Sequence, residues 1–237
     1  MELLEFKKKM AEKLSKTEQM LLPEQTEQFY KYMKLLIEWN QKMNLTAITE
    51  PNEIIEKHFV DSLTIMPYIK KNSRIIDVGT GAGFPGIPIK IADSSLEITL
   101  LDSLNKRITF LEKVISELQL KNIEAIHGRA EEYVKEKRES YDIAVSRAVA
   151  ELPILLEYLL PYVKVGGKCI CMKGPKATEE IVKSKKALEI LGGKIEKIEN
   201  IKINDEMERN IIIISKTKKT PVKYPRKAGK PSKEPIV

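Results

Sequence analysis

The stretch Arg74-Ile75-Ile76-Asp77-Val78-Gly79-Thr80-Gly81-Ala82-Gly83-Phe84-Pro85-Gly86 decides the fold of this 237-residue chain. Apolar, β-branched residues run into a cluster of glycines, and an Ile-Pro-Ile helical start follows. Such a strand–turn–helix unit lets the backbone turn sharply and come close to a ligand. From Gly81 to Gly86 the string satisfies the dinucleotide-binding pattern, a weak signal by itself. A tight turn with no ligand is the plainest alternative.

On either side of this unit the chain changes character. Residues 1–70 read as helical, with an apolar stripe begun by Leu3, Leu4, Met10 and Leu14. Pro23 opens a second helix with Phe29, Met33, Leu36, Ile37 and Asn40 on one side. Asn44-Leu45-Thr46 breaks the pattern. Pro51 then starts a third helix carrying Ile54, Ile55, His58 and Phe59, and another short helical stretch reaches about Ile69. From there strands (74–78, 97–101, 123–127, 141–145, 168–172) alternate with helices (87–92, 105–118, 130–137, 152–163, 178–191). That alternation predicts a parallel sheet covered on both faces. Two last strands, 194–203 and 209–216, are separated only by a short polar turn and must pair as an antiparallel hairpin.

The hairpin bears on the ligand. A dinucleotide-binding sheet is parallel throughout, whereas the class I methyltransferase sheet (Rossmann-like α/β, order 3-2-1-4-5-7-6) inserts its last strand antiparallel. Asp77 sits just before the first glycine, where a carboxylate would repel a pyrophosphate but suit the cationic methionine end of S-adenosylmethionine. Asp102, ending the second strand, can accept both ribose hydroxyls of either cofactor. Acidic loop and hairpin together favour S-adenosylmethionine, held by Asp77, Gly79, Gly81, Gly83 and Asp102. A nicotinamide-dependent oxidoreductase and a non-catalytic RNA-binding protein are the alternatives.

Composition narrows the setting. Hydrophobic residues make up 42% and charged residues 32%, an ordinary globular balance. Cys169 and Cys171 stand two apart in an apolar run and read as small buried hydrophobes, not as a disulfide. No apolar run has the length of a membrane span, so a cytoplasmic protein without membrane contact is expected. The net charge of +7 lies wholly in residues 216–237, which hold eight bases and one acid, Glu234. That stretch is also rich in proline and carries Tyr224, as an arm laid on nucleic-acid phosphates would. Lys223, Arg226, Lys227 and Lys230 are its candidate contacts.

What chemistry the chain can perform follows partly from what it lacks. Methyl transfer from a sulfonium needs a nucleophile held near attack distance and in line. The Asn/Asp-Pro-Pro-aromatic box of exocyclic-amine methylation is absent; Ser146-Arg147-Ala148-Val149 stands there instead. Neither cysteine has the Pro-Cys context of cytosine-carbon methylation, and no metal-ligand cluster is evident. A target that attacks with a lone pair and loses no proton remains, such as guanine N7, for which positioning and electrostatics suffice. Arg147 and Lys173 close buried parallel strands, where ligand crevices open, and Arg129 ends another.

Several segments together resemble one family. They are Asn44-Leu45-Thr46-Ala47-Ile48-Thr49, His58-Phe59-Val60-Asp61-Ser62-Leu63, Asp77 to Pro88, and Asp102-Ser103 with Lys106-Arg107. Gly128-Arg129-Ala130-Glu131-Glu132, Ser146-Arg147-Ala148, Lys173-Gly174 and the ending Tyr224 to Pro231 complete the set. The chain is similar, from about residue 20 to its end, to the glucose-inhibited division protein B family, bacterial 16S rRNA guanine-N7 methyltransferases. The resemblance implies a guanine in the 530 loop of 16S rRNA, or of the small ribosomal subunit, as substrate. It also implies cofactor contacts from Gly79, Phe84, Asp102, Ser103, Leu104, Ala130, Glu131 and Arg147. Asn44 and His58 become candidates for shaping the cleft entrance, with Asp61 placed to hydrogen-bond His58. The expected organisation is a helical cap (1–70), a methyltransferase domain (71–216) and a basic arm (217–237), acting as a monomer without a metal.

Overall fold

The computed structural model describes every residue except Lys16, Glu18, Asp205 and Glu206. The middle of the predicted hairpin turn therefore lies outside the described residues. Among the described residues seven strands form one sheet, in the order β3-β2-β1-β4-β5-β7-β6. They are β1 (Arg74–Val78), β2 (Glu97–Asp102), β3 (Ile123–His127), β4 (Tyr141–Arg147), β5 (Val163–Lys173), β6 (Gly193–Lys202) and β7 (Glu208–Lys216). Strands β1 to β5 pair in parallel, while β7 is antiparallel to both its neighbours. The predicted order and the antiparallel last strand are both observed. The chain reverses direction across the sheet between β1 and β4, the place where α/β sheets open a crevice.

Strands buried on both faces are apolar at consecutive positions, and alternate residues supply the two cores. Ile75, Ile98, Leu100, Ile143, Val145, Ile211 and Ile213 face one side. Ile76, Val78, Leu101, Ala144, Ile212 and Ile214 face the other. The first core is covered by α1 (Leu3–Leu14), α2 (Pro23–Met43), α5 (Gly86–Ala92) and α6 (Asn105–Glu117). The second is covered by α7 (Ala130–Lys137), α8 (Leu152–Leu159), α9 (Ala177–Lys183) and α10 (Lys185–Leu191). Residues 1–70 thus share a continuous core with one sheet face. Cys169 and Cys171, on β5, are fully buried and unbonded.

Three local expectations are corrected. The stripe of α1 runs through Phe6, Met10 and Leu14, one residue every fourth, and Leu4 is exposed. The helix expected from Pro51 is composite: α3 (Pro51–Glu53), a π-helix over Ile54–Val60, and α4 (Asp61–Leu63). A π-turn is a wider coil that recurs at functional sites, and here it carries His58. The long helix expected over 178–191 breaks between α9 and α10 at Ser184. Its hydroxyl donates to the Glu180 carbonyl at 2.7 Å, a local bond that competes with the helix ladder.

The basic stretch that begins with the last residue of β7 is docked. Lys216 is buried, donating to the Leu160 carbonyl at 2.7 Å. The Thr220 amide donates to Glu139, and Arg138 donates to the Tyr224 carbonyl. One helical turn, α11 (Lys230–Lys233), follows with Pro231 in its first turn, and Ile236 is buried in the second core.

Candidate active site

A cleft of about 480 Å³ opens at the carboxyl ends of β1 to β4. The glycine loop forms its floor. Gly79, Gly81 and Gly83 all have positive φ, at 71°, 62° and 101°, a region that L side chains rarely adopt. Their missing side chains face different things. A Cβ on Gly79 would lie 2.5 Å from Val149, whereas one on Gly81 would meet nothing within 4 Å. Gly81 therefore leaves room on the cleft side for a ligand. Gly83 instead leaves room for Ile87 and the Tyr32 hydroxyl, so its glycine serves the loop's own packing, which corrects its reading as a ligand contact.

Asp77 is also corrected. It lies fully buried beneath the loop, its Oδ2 accepting from the Thr80 hydroxyl at 2.7 Å and the Gly86 amide at 2.9 Å. It shapes the turn and does not face the cleft. Burial pushes its carboxyl up to about 6, against those two hydrogen bonds. Asp102 does line the cleft. Its oxygens accept from the amides of Gly81 and Leu104, both at 2.9 Å, and from Arg107 at 3.0 Å. Leu104 contributes that amide while its side chain points away, 42% exposed.

At the β4 end stands an ionic cluster. Arg147 donates to Asp61 Oδ2 at 2.8 Å, to the Lys57 carbonyl at 3.1 Å and to His58 Nδ1 at 3.1 Å. Asp61 is fully buried and also accepts from Arg209 Nε at 2.9 Å, so one carboxylate serves two guanidinium groups. The expected Asp61–His58 hydrogen bond is replaced by these. Because Arg147 donates to His58 Nδ1, the ring is the neutral tautomer that donates from Nε2 to Thr46 Oγ1 at 2.9 Å. His58 stacks on Phe84 at 4.3 Å and 18°, and the Arg147 guanidinium lies 4.9 Å from the same ring. Burial, with the Arg147 charge, lowers the His58 pKa to about 3.

The two perturbed groups oppose each other in acid. Folded His58 takes its proton only near pH 3, against about 6.5 unfolded, so stability falls as pH drops through that window. Asp77 is protonated in the fold below about 6, against 3.8 unfolded, so its contribution is full below 3.8 and lost as pH rises through 6. Each slope approaches about 1.4 kcal/mol per pH unit. Urea unfolding at pH 4–6 is expected to find Asp77→Asn losing stability on acidification faster than wild type, and His58→Gln more slowly. Parallel curves for all three would contradict this assignment.

The cleft is also lined by Ser103, Ala130, Glu131 and Arg129, as well as Gly79, Gly81 and Phe84. Besides Asp77 and Gly83, three more predicted residues do not reach it. Lys173, in the strand beyond β4, is turned away to pair with Glu180 at 2.7 Å and donate to the Ala150 carbonyl at 2.6 Å. Asn44 is an exposed left-handed cap at the end of α2; its neighbours Leu45 and Thr46 line the cleft instead. Arg226 is held on the buried carboxylate of Glu157, with contacts of 2.6 to 3.2 Å. Sequence reasoning missed Thr46, Arg107, Tyr158, Gly229 and Ser232 as lining residues, and Arg209 as Asp61's second partner. The loop motif alone gave no signal for residues this distant.

A family model described as GidB, rRNA small subunit methyltransferase G, matches residues 25–212, the span that builds the sheet and most of the cleft. The chain belongs to this family. Relatives named ribosomal RNA small subunit methyltransferase G are more than half identical to it over the aligned residues. The one from Acetivibrio thermocellus is 59% identical over 217 residues, covering 90% of this chain and 89% of that protein. The one from Clostridium tetani is 53% identical over 213 residues, covering 88% and 89%. Among solved structures, a SAM-dependent methyltransferase from Aquifex aeolicus has a TM-score of 0.55 at 17% identity, covering 72% of this chain and 96% of its own. M. jannaschii TYW2 in complex with AdoMet has a TM-score of 0.54 at 16% identity, covering 66% and 74%. These two likenesses extend the class I methyltransferase fold beyond the family.

Proposed function

We propose that the chain transfers a methyl group from S-adenosylmethionine to N7 of a guanine in the 530 loop of 16S rRNA, without a general base. Family membership and the relatives' names support an rRNA substrate. The residues present suit the cofactor: Gly81 leaves a cradle that a Cβ would fill, and Asp102 stands at the β2 end as a hydrogen-bond acceptor for ribose hydroxyls. Arg147 would take the methionine carboxylate, and Glu131, at the opposite end of the cleft, would accept from the adenine amine. When bound, the cofactor supplies a methyl group activated on a sulfonium.

One observation supports a reaction without a base at the Arg147 end of the cleft. His58, which lies beside Arg147 together with the doubly paired Asp61 carboxylate, has both ring nitrogens engaged and stays neutral down to about pH 3. A neutral ring whose Nδ1 lone pair is already taken cannot collect a proton from an amine. A ring nitrogen, attacking with its own lone pair, asks nothing of it. The protein's work is then to hold and orient, with the ionic cluster fixing Arg147 at the cleft wall. Incubating labelled S-adenosylmethionine with rRNA and with small subunits, then mapping by borohydride reduction and aniline cleavage, is expected to mark one guanine N7. Label on an exocyclic amine or a ring carbon would refute the reading.

For RNA, Arg129 at the cleft and the exposed Lys223, Lys227 and Lys230 are the proposed phosphate contacts. Four such contacts on single-stranded RNA give a slope of about −2.8 for log K against log salt. Replacing the three lysines by glutamine is expected to bring it to about −0.7. An unchanged slope would remove the segment from the RNA interface.

A further inference from the structure

We propose that the C-terminal segment is part of the cofactor site: the turn Gly229–Ser232, seated against Tyr158 and Glu131, forms the outer wall of the cleft at its adenine end. This rests on the S-adenosylmethionine reading above. The segment falls outside the 25–212 span of the family model, and no catalytic motif points to it.

The geometry assigns the wall by position. Asp102 stands at the end of β2, between the glycine loop after β1 and residues 128–131 after β3. With ribose at Asp102, the cofactor's two ends extend to opposite sides. A carboxylate belongs at the Arg147 end, which leaves the β3 end for the base. There Gly229, Ser232 and Tyr158 join Glu131 in lining the cleft. The Gly229 amide donates to Glu131 Oε1 at 3.2 Å, and the hydroxyls of Tyr158 and Ser232 lie 3.1 Å apart. Gly229 has a φ of 81°, and a Cβ there would meet nothing within 4 Å. A glutamate held by one backbone amide keeps acceptor sites for an exocyclic amine.

The wall is anchored from behind. The Arg226 side chain and amide both bind Glu157, whose side chain is only 1% exposed, and the Arg226 guanidinium reaches the Glu234 carbonyl at 2.8 Å. Pro231 and Ile236 are buried on the second core. Basic side chains of the same segment, Lys223, Lys227 and Lys230, face solvent. The segment thus has an inner side that serves the cleft and an outer side that carries charge.

The test uses S-adenosylhomocysteine with the full-length chain first and a truncated chain second. Hydrogen exchange of the wild type is expected to slow at the amides of 229–233 when the ligand saturates, with no substitution required. Calorimetry is expected to find the Tyr158→Phe/Ser232→Ala pair binding about three- to tenfold more weakly, the effect of one or two lost hydrogen bonds. A chain ending at Pro225, its fold checked by circular dichroism, is expected to bind at least about tenfold more weakly. Wild-type binding with no added protection at 229–233, or with equal affinity in a folded truncation, would overturn the wall. Failure of the wild type to bind the ligand would instead overturn the cofactor reading, and this inference with it.

Discussion

Asp61→Ala is expected to destabilise the chain by about 3–5 kcal/mol, the cost of leaving buried charges without their partner. The carboxylate is fully buried, and the two guanidinium groups on it, Arg147 and Arg209, have side chains only 11% and 23% exposed. Removing it places two cations near each other in a region with little water. His58 shares the consequence, because its Nδ1 accepts from Arg147. Urea unfolding measures the stability, and calorimetry with S-adenosylhomocysteine measures whether Arg147 is still held in place. Asp61→Asn retains the shape and loses the charge, so it separates packing from electrostatics. A stability loss below about 1 kcal/mol in Asp61→Ala would mean that the cluster is solvated like a surface pair.

Two glycines of one loop are expected to respond in opposite ways. Gly81→Val places side chain in the open cradle, with nothing within 4 Å to collide with in the protein itself. Its positive φ costs about 1–2 kcal/mol of stability, while ligand affinity falls at least about a hundredfold because the side chain occupies ligand space. Gly83→Ala meets Ile87 at 2.5 Å and the Tyr32 hydroxyl at 2.8 Å with a φ of 101°. It is expected to cost about 3 kcal/mol or more, from backbone strain and overpacking together. Comparable ligand loss in both, at comparable stability, would contradict the division of labour drawn between them.

The features legible in the sequence were those with local causes. Strand–helix alternation and the short link before β7 predicted a parallel sheet ending in an antiparallel hairpin, because each depends on neighbours along the chain; the strand order came from the likeness to the class I methyltransferase sheet. Gly79 and Gly81 were legible because the conformations they adopt favour their residue type. The ionic cluster was not legible, since Asp61 meets residues 86 and 148 positions away and nothing local selects among the arginines. The strand-end rule served Arg147 and failed Lys173, because Glu180 on α9 captures the lysine first. Charge counting saw a basic arm after Lys216. It could not see that Glu157, a single acid buried in α8, converts Arg226 from a phosphate contact into an anchor.

The two β5 cysteines have a practical consequence. Burial raises the Cys169 thiol well above its ordinary range and pushes Cys171 up to about 12, so neither supplies thiolate while the fold is closed. The native chain is therefore silent to maleimides and disulfide reagents, and wild-type labelling reports opening of β5 against time. A single cysteine introduced at an exposed site such as Val222, 87% exposed, would react alone, giving a fluorescent handle on the C-terminal segment that leaves the proposed phosphate contacts in place.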